Sequence, residues 1–387
     1  MDNNFMSFPN RIGTNSSKWR ISETNPNMVS ASLADMDFEI PEFIRSVFLD
    51  YMALDFMGYS YQSEKALEAI LNWEKKEHGY YFDKEKLILL DSVMTGVANA
   101  IQAFTNLGDA VLINDPVYPS FKQIIENNGR KPVSSELEIK DGVYRFNFEK
   151  FEDCIITNKV KVFVLCNPHN PLGRAWEIAE LNKIGNICLK HNVIVISDEI
   201  HQDLVLFGNK HNSFNTVNNS FKDISIILSS PTKTFNFSGF KIAYSIVENE
   251  TLHAKLLKNL SANNQPMITS INYRFLEIAY NHGRNWLEEL HKVIEENIDF
   301  VVDYFEKKLP KLLVYKSQAT YLLWIDFSRF GLNDSEIFDL LNEANVMLSD
   351  GTRYGNLGTN HVRLNVATPK AVLEVIVKRI FNVFSGL

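Results

Sequence analysis

Six short apolar runs, separated by stretches of helical period, constrain the fold of this chain more than any other feature. The runs are KLILLD, AVLIND, KVFVLC, NVIVISD, ISIILSS and KIAYSIV. Short apolar strands that alternate with helices are typical of a mostly parallel sheet covered on both faces. We therefore predict an α/β fold with a mostly parallel sheet flanked by helices, followed by a smaller C-terminal α/β domain.

Length and composition limit the organisation and the class of protein. A chain of 387 residues suffices for two domains, and we expect an N-terminal segment 1–45 that packs with the small domain, a large domain 46–283 and a small domain 284–387. The net charge of −8, without a long basic run, argues against nucleic-acid binding. No apolar stretch reaches the roughly 18 residues of a membrane span. The three cysteines lack metal-ligand spacing, so we expect reduced thiols, no metal site and a cytoplasmic location.

Three polar motifs follow strand-like runs and carry the chemistry. Asn170 lies in NPHNPLG, Asp198 in ISDEIHQD and Lys233 in SPTKTFNFSGFK. A lysine can form a Schiff base with the aldehyde of pyridoxal phosphate, a carboxylate can keep its pyridine nitrogen protonated, and an amide can bind its phenolic oxygen. The plain alternatives are a Pro/Gly turn for the first motif and a helix cap or salt bridge for Asp198. Together the motifs favour a pyridoxal-phosphate enzyme that acts on an amino acid, with Lys233 as the catalytic base.

The phosphate of such a cofactor needs hydrogen-bond donors. The segment MTGVANAIQAF opens a helix after the run KLILLD, and helix N-termini bind anions. We expect the phosphate ligands to come from this helix and from the neighbourhood of the lysine. The candidates are Gly96, Val97, Ala98, Ser230, Thr232 and Lys241.

Three further side chains fit the same site. Tyr118, in DPVYPSF, is placed to stack on the pyridine ring, and His201 follows Asp198 by three residues. A core or turn tyrosine and a buried core histidine are the alternatives. Arg363 lies in the strand-like run HVRLNVA, where its charge needs an anion. The substrate carboxylate is one such anion, and a structural salt bridge is the other.

The motifs resemble those of the fold-type I pyridoxal-phosphate enzymes, the aspartate aminotransferase superfamily. Within it the chain is most similar to the MalY/PatB branch of cystathionine β-lyases, also called C–S lyases. The resemblance runs nearly end to end, through LADMDF, GYSY, DPVYPSF, LCNPHNPLGRAW, SDEIHQDL, SPTKTFNFSG and VRLNVATP. It implies a seven-stranded central sheet and a homodimer with shared active sites.

The resemblance also implies roles for residues that the spacing alone does not single out. Tyr59 would reach the phosphate of the neighbouring subunit, with Tyr61 as a second candidate. Ala34 would lie near the substrate carboxylate, and Asn170 and Tyr118 are further candidates for binding the substrate. Ser32 and Leu33 depart from the aromatic residue and valine usual in this branch, which leaves the substrate open.

Carbon–sulfur β-elimination from a cystathionine-type or cysteine-type amino acid, giving pyruvate, ammonia and a thiol, is the function that the resemblance implies first. An aminotransferase shares every step up to loss of the Cα proton and is the alternative. A pyridoxal-phosphate-binding regulator is a third hypothesis, although it would have no use for a base such as Lys233 or a clamp such as Arg363.

Overall fold

A computed structural model of the chain describes residues 5–55, 57–265 and 268–387. The strands within these residues are β1 (Val29–Ser30), β2 (Leu87–Leu90), β3 (Ala110–Asp115), β4 (Lys131–Lys140), β5 (Val143–Phe146), β6 (Val162–Cys166), β7 (Ile194–Asp198), β8 (Ser225–Ser229), β9 (Ala243–Ile246), β10 (Leu313–Tyr315), β11 (Leu322–Asp326), β12 (Val346–Met347), β13 (Ser349–Asp350) and β14 (His361–Asn365). The α-helices are α1 (Arg20–Thr24), α2 (Glu42–Met52), α3 (Glu64–Glu77), α4 (Val93–Phe104), α5 (Ser120–Asn127), α6 (Phe148–Asn158), α7 (Ile178–Lys190), α8 (Phe214–Val217), α9 (Glu250–Ala262), α10 (Ser270–His282), α11 (Arg284–Lys308), α12 (Asp334–Glu343) and α13 (Lys370–Phe384).

The central sheet has, within the residues just given, eight strands in the order β2-β9-β8-β7-β6-β3-β4-β5. Neighbouring strands from β8 to β4 are parallel, whereas the pairs at both edges are antiparallel. All of the apolar runs predicted as strands lie in this sheet. The mostly parallel α/β fold is therefore confirmed.

The sheet has one strand more than the seven expected, because β4 continues into a hairpin. Asp141 and Gly142 connect β4 to β5, and both have positive φ, at 54° and 74°. Two such residues suit the tight turn whose twist matches that of the flanking strands. The added strand β5 therefore forms an antiparallel edge of the sheet.

Helices cover both faces of the sheet. The strands β3, β6 and β8 are buried at every position, as the apolar runs predicted. One face packs against buried side chains of α4, α5 and α9. The other packs against those of α6 and α7. Polar side chains of these strands can therefore reach solvent or ligand only at the strand ends.

A smaller antiparallel sheet, in the order β10-β11-β14-β13, follows the long helix α11. The N-terminal strand β1 pairs in parallel with β12, with Val29 opposite Val346. The N-terminal segment therefore lies against the C-terminal part of the fold, while the proposed domain limits at residues 45 and 283 stay a prediction. In the described part of the chain, no helix is long and apolar enough to cross a membrane.

Candidate active site

A cavity of about 280 Å³ lies where β6, β7 and β8 end. Cys166 and Asp198 end two of these strands, and Ser230 directly follows the third. Because parallel strands end at the same edge of a sheet, residues far apart in the sequence meet there. The predicted site residues on the cavity wall are Ala34, Tyr118, Asn170, Asp198, His201, Ser230, Thr232, Lys233 and Lys241.

Lys233 lies in the turn that follows β8. Its Nζ donates a hydrogen bond of 2.6 Å to the carbonyl oxygen of Ala34, in the N-terminal segment. Burial lowers the pKa of this amine to about 8, and the Arg363 charge acts in the same direction, whereas the Asp35 and Asp198 carboxylates oppose it. An amine with a pKa near 8 can accept a proton close to neutral pH.

Asp198 is the last residue of β7 and is buried. Its Oδ1 accepts a hydrogen bond of 3.1 Å from the backbone N–H of Ile200. Burial raises the pKa of this carboxyl to about 7, with a smaller contribution from the Glu199 charge. A buried carboxylate with one backbone donor is short of positive partners, and a protonated ring nitrogen would supply one.

Arg363, in β14, and Asn170 form the opposite side of the site. Arg363 Nη1 donates to Asn170 Oδ1 at 2.9 Å, and Nη2 donates to the carbonyl of Ser32 at 2.9 Å. Nη2 also lies 3.3 Å from Ser349 Oγ. These acceptors are uncharged, so the structural salt bridge considered for this arginine is absent among the described residues. Its buried Nε has no partner there either. The positive charge of the guanidinium and the Nε–H donor are therefore available to a substrate carboxylate.

His201 lies on the cavity wall as a neutral ring. Burial lowers its pKa to about 3, and the charges of Lys233 and Arg363 add to that effect. Its buried Nδ1 has no hydrogen-bond partner within the described ranges. The residue is therefore not a satisfied core histidine, and it presents a polar atom for a ligand.

Tyr118 stands on the wall just before α5, with its ring edge-on to Phe121 at a centroid distance of 5.7 Å. Ser230 and Thr232 lie further along, and their hydroxyl oxygens are 2.8 Å apart. Lys241 is exposed at the rim. The predicted stacking residue and these three predicted phosphate ligands are thus brought to one cavity.

The helix that was expected to bind phosphate begins earlier than its sequence indicated. Helix α4 starts at Val93, and Ser92 caps it by accepting from the N–H of Thr95 at 3.1 Å. Gly96 and Val97 are buried one turn inside, where a Cβ on Gly96 would stand 2.5 Å from Leu228 Cδ2. Gly96, Val97 and Ala98 therefore do not line the cavity. Gly96 instead lies where the side chain of Leu228 packs closely against the helix backbone.

The backbone donors at this end of the cavity are those of Val93 and Met94, which lie on its wall. The amides of Thr95 and Gly96 already bond to Ser92, so the first two amides of the helix are the free ones within the described structure. A serine directly after a strand is a favoured N-cap residue, and this signal could have revealed the helix start.

Sequence reasoning also missed Tyr321, whose hydroxyl donates to the Ala34 carbonyl at 3.2 Å, the same oxygen that Lys233 uses. Nothing in the spacing of the motifs singles it out. Tyr59 and Tyr61 are both exposed on the single chain and do not line the cavity. The described residues contain no group of His, Cys, Asp or Glu suited to a metal ion.

The donor set of the cavity fits pyridoxal phosphate. It offers an amine for the aldehyde, a buried carboxylate short of a cationic partner, and free amides with two hydroxyls for a phosphate. The unpartnered Nδ1 of His201 and Nε of Arg363 are buried polar atoms that a bound cofactor and substrate would satisfy.

Comparison with known proteins agrees with this geometry. Residues 35–380 match the family model described as aminotransferase class I and II. Cystathionine beta-lyase PatB of Bacillus subtilis is 36% identical over 97% of this chain and 98% of its own length. Cystalysin of Treponema denticola, solved with pyridoxal 5'-phosphate, is 31% identical with a TM-score of 0.96 over all of both chains. A pyridoxal-phosphate-bound C–S lyase from Staphylococcus hominis has 26% identity and a TM-score of 0.93, and the match covers 99% of this chain and 98% of the other.

Proposed function

Because this chain belongs to the aminotransferase class I and II family and is a pyridoxal-phosphate enzyme, we propose that it cleaves the carbon–sulfur bond of cysteine-type amino acids by β-elimination. The observation that carries the chemistry is the meeting of Lys233, Asp198, Asn170 and Arg363 around one cavity. The observation that favours elimination is the similarity to a cystathionine beta-lyase along almost the whole chain.

Arg363 is the group that binds the substrate carboxylate in this proposal. Its planar guanidinium already rests on the Asn170 side chain and the Ser32 carbonyl, so little reorganisation accompanies binding. Tyr354 places its ring 5.2 Å from the guanidinium carbon and restricts it further. The amino acid is thus held with its Cα towards Lys233.

Lys233 takes the proton from Cα. When bound, pyridoxal phosphate supplies an electron sink for the charge left at that carbon. The ammonium that forms on Lys233 keeps the Ala34 carbonyl as an acceptor at 2.6 Å, and the Asp35 and Asp198 carboxylates favour its charge. The bond from Cβ to sulfur then breaks, and sulfur leaves with the electron pair as a thiolate. With one water consumed, the products are pyruvate, ammonia and the thiol.

Asp198 favours this reaction by its charge. A buried carboxylate that is costly to ionise alone becomes stable opposite a cation, so Asp198 would hold a proton on the pyridine nitrogen of the bound cofactor. Asn170 has its oxygen engaged by Arg363, which leaves the amide nitrogen as the donor of that side chain. The free amides of Val93 and Met94, with Ser230 and Thr232, would hold the phosphate.

A homodimer with shared sites is part of the same proposal. The stretch from α2 to residue 61 exposes a row of large apolar and aromatic side chains, an unusual surface for a monomer. They are Phe48, Leu49, Met52, Met57, Tyr59 and Tyr61. In a dimer this row becomes an interface, from which Tyr59 reaches the phosphate of the other subunit. Light scattering of wild type and of Leu49→Asp tests the assembly, and a monomeric wild type would contradict it.

We place the enzyme in the cytoplasm for a chemical reason. Its cysteines are free, and two of the three in the described chain are buried. Reduced thiols persist in a reducing compartment. Fractionation of the native host would test this placement.

Product analysis distinguishes β-elimination from transamination. Purified protein reconstituted with pyridoxal phosphate is given cystathionine without a keto acid, and pyruvate is followed with lactate dehydrogenase. We expect stoichiometric pyruvate, ammonia and thiol, and loss of all three in Lys233→Ala. A wild type that forms no pyruvate without a keto acid, but converts cystathionine to its own keto acid once a keto acid is added, would refute the lyase.

An aminotransferase is the second candidate, because the matching family is described by that activity. It would use the same base and the same carboxylate clamp. Spectra that alternate between aldehyde and amine forms of the cofactor, driven by an amino acid and then a keto acid, would favour it.

A further inference from the structure

A buried carboxylate beneath the cavity connects the two catalytic loops. Asp203 accepts hydrogen bonds from Trp73 Nε1 at 2.9 Å, His78 Nε2 at 2.8 Å and Thr234 Oγ1 at 2.7 Å. Its backbone carbonyl accepts from His291 Nε2 at 2.6 Å. These donors come from α3 and its C-terminus, from the turn after β8 and from α11, so one residue, through its side chain and its backbone carbonyl, connects three parts of the fold.

The hydrogen bond between Thr234 and Asp203 joins two segments that carry catalytic residues. Thr234 directly follows Lys233, and Asp203 lies five residues after Asp198. The bond between Thr234 and Asp203 therefore connects the turn that carries the base to the loop that carries the ring-nitrogen carboxylate. Neither Thr234 nor Asp203 lines the cavity, so the pair acts on the site only through Lys233 and Asp198.

Charged groups surround the carboxylate and keep it ionised. Burial alone would lower the pKa of His78, but the Asp203, Glu74 and Glu199 carboxylates outweigh burial and raise it to about 9. His78 is thus a cation at neutral pH. Glu74 bonds to Gln202 and Tyr244, and Glu199 bonds to His211 at 2.9 Å. The pairs Asp203–His78 and Glu199–His211 are hydrogen-bonded ion pairs, which makes this part of the cluster rigid.

We propose that Asp203 is a positioning residue, which through the Thr234 hydroxyl fixes the Lys233 turn relative to Asp198. The proposal rests on the proposed function only in taking Lys233 as the cofactor-bound amine. Lys233 has a long flexible side chain, so the direction of its amine depends on how firmly its backbone is held. A displacement of about 1 Å at such a group can lower a rate about a hundredfold.

The test uses substitutions that keep the shape of residue 234. Thr234→Val removes the hydroxyl without changing the size, and Thr234→Ser keeps the hydroxyl. Thr105→Val is the matched control, because the Thr105 hydroxyl is also buried and donates to a backbone carbonyl, that of Ile101, away from the cavity. All holoenzymes are compared by kcat, by KM and by the pH titration of the visible absorbance of the Lys233 Schiff base.

We expect Thr234→Val to lower kcat at least tenfold, to change KM less than twofold, and to shift the absorbance titration by at least half a pH unit. Thr234→Ser should restore both, and Thr105→Val should change neither. A Thr234→Val protein that is less heat-stable but keeps the wild-type titration and kcat would overturn the proposal and leave a purely structural role.

A second variant covers the case in which Thr234→Val does not fold. Trp73→Phe removes a different donor to Asp203 and keeps an aromatic ring against Tyr280, on which Trp73 stacks at 4.9 Å. A shift of the Trp73→Phe titration relative to wild type supports the inference, and an unchanged titration refutes it. The titration needs no turnover, so a wild type that forms no pyruvate would refute the proposed function and leave this inference standing.

Discussion

Replacing Asp198 by asparagine should stabilise the cofactor-free protein, although it should destroy activity. The carboxyl is buried, and its pKa rises from 3.8 to about 7 because burial penalises the charge. Above pH 7 the apoprotein therefore carries a buried charge that the unfolded chain keeps in water. The amide removes that charge and can still accept from the N–H of Ile200 through Oδ1.

The magnitude follows from linkage between protonation and folding. A group whose pKa is higher in the folded protein adds stability below its unfolded pKa and loses it as pH rises through the folded pKa. At about 1.4 kcal/mol per pH unit, the raised pKa of Asp198 costs the apoprotein about 4 kcal/mol at pH 8, where the folded carboxyl is ionised. At pH 5 it costs about 2 kcal/mol, because folding then requires the carboxyl to take up a proton. With an unfolding entropy of roughly 2.1 cal/mol/K per residue, the pH 8 value corresponds to about 5 °C in Tm.

The assay is thermal or urea unfolding of the apoprotein, wild type and Asp198→Asn, from pH 5 to pH 8. The gain of the variant should roughly double over this range. Asp326→Asn is a matched control, since Asp326 also ends a buried strand and accepts one backbone N–H, that of Ser328 at 2.7 Å. In the holoenzyme the same Asp198→Asn change should lower kcat by about two to three orders of magnitude.

Two results would refute the reasoning. One is an apoprotein variant that unfolds at or below the wild-type temperature at pH 8. The other is a gain of the same size at pH 5 and pH 8, because a gain that does not depend on pH cannot arise from a titrating carboxylate.

Three further predictions concern other parts of the site. Arg363→Lys should raise KM about ten- to a hundredfold with a smaller change in kcat, because a charge-assisted hydrogen bond of about 1.5–3 kcal/mol to the substrate carboxylate is lost. An unchanged KM in steady-state kinetics would contradict the role of Arg363 in carboxylate binding. Gly96→Ala should lower the free energy of unfolding by about 1–3 kcal/mol, because the added methyl group overpacks against Leu228. The Kd for pyridoxal phosphate should stay within about twofold of wild type, and a large rise of that Kd in a fluorescence titration would show that Gly96 does bind the phosphate. His78 has a pKa near 9 in the folded protein against 6.5 when unfolded, so it should contribute about 3 kcal/mol to the free energy of unfolding below pH 6.5, and this contribution is lost as pH rises through 9. Between pH 6 and pH 10 the Tm of His78→Gln should therefore fall less steeply than that of wild type. Parallel curves would contradict the ion pair.

The convergence of the main catalytic residues could be predicted because it depends on topology. Asp198 ends an apolar strand, and Asn170 and Lys233 follow two others, so a parallel sheet brings them to the same edge. Arg363 could be expected for another reason, since an arginine inside an apolar strand requires an anion. Burial pattern and strand order thus suffice for these positions.

The start of α4 was harder to predict, because glycine serves two purposes near helices. A glycine after a strand is typical of phosphate-binding loops, and this favoured Gly96. In this chain the missing Cβ makes room for Leu90 and Leu228, while the helix begins at Val93 under the Ser92 cap. Composition alone does not distinguish a packing glycine from a ligand-binding one.

The spacing of the sequence motifs does not indicate the hydrogen-bond network around Asp203. Its partners lie 130 residues away for Trp73 and 125 for His78. Each of these residues read alone is an ordinary helix residue or a solvated charge. Only the packing of α3 beneath the β7 and β8 loops turns them into one cluster.

The Lys233 contact with Ala34 and the Arg363 contact with Ser32 also bear on how the enzyme is made. The amine that would bind vitamin B6 leaves the ribosome long before β14, which carries the guanidinium beside it. A nascent chain can therefore fold its central sheet, with the aldehyde-binding amine in place, before it can bind the carboxylate of an amino acid. Reactivity towards metabolites begins only after β14 has been made and has folded.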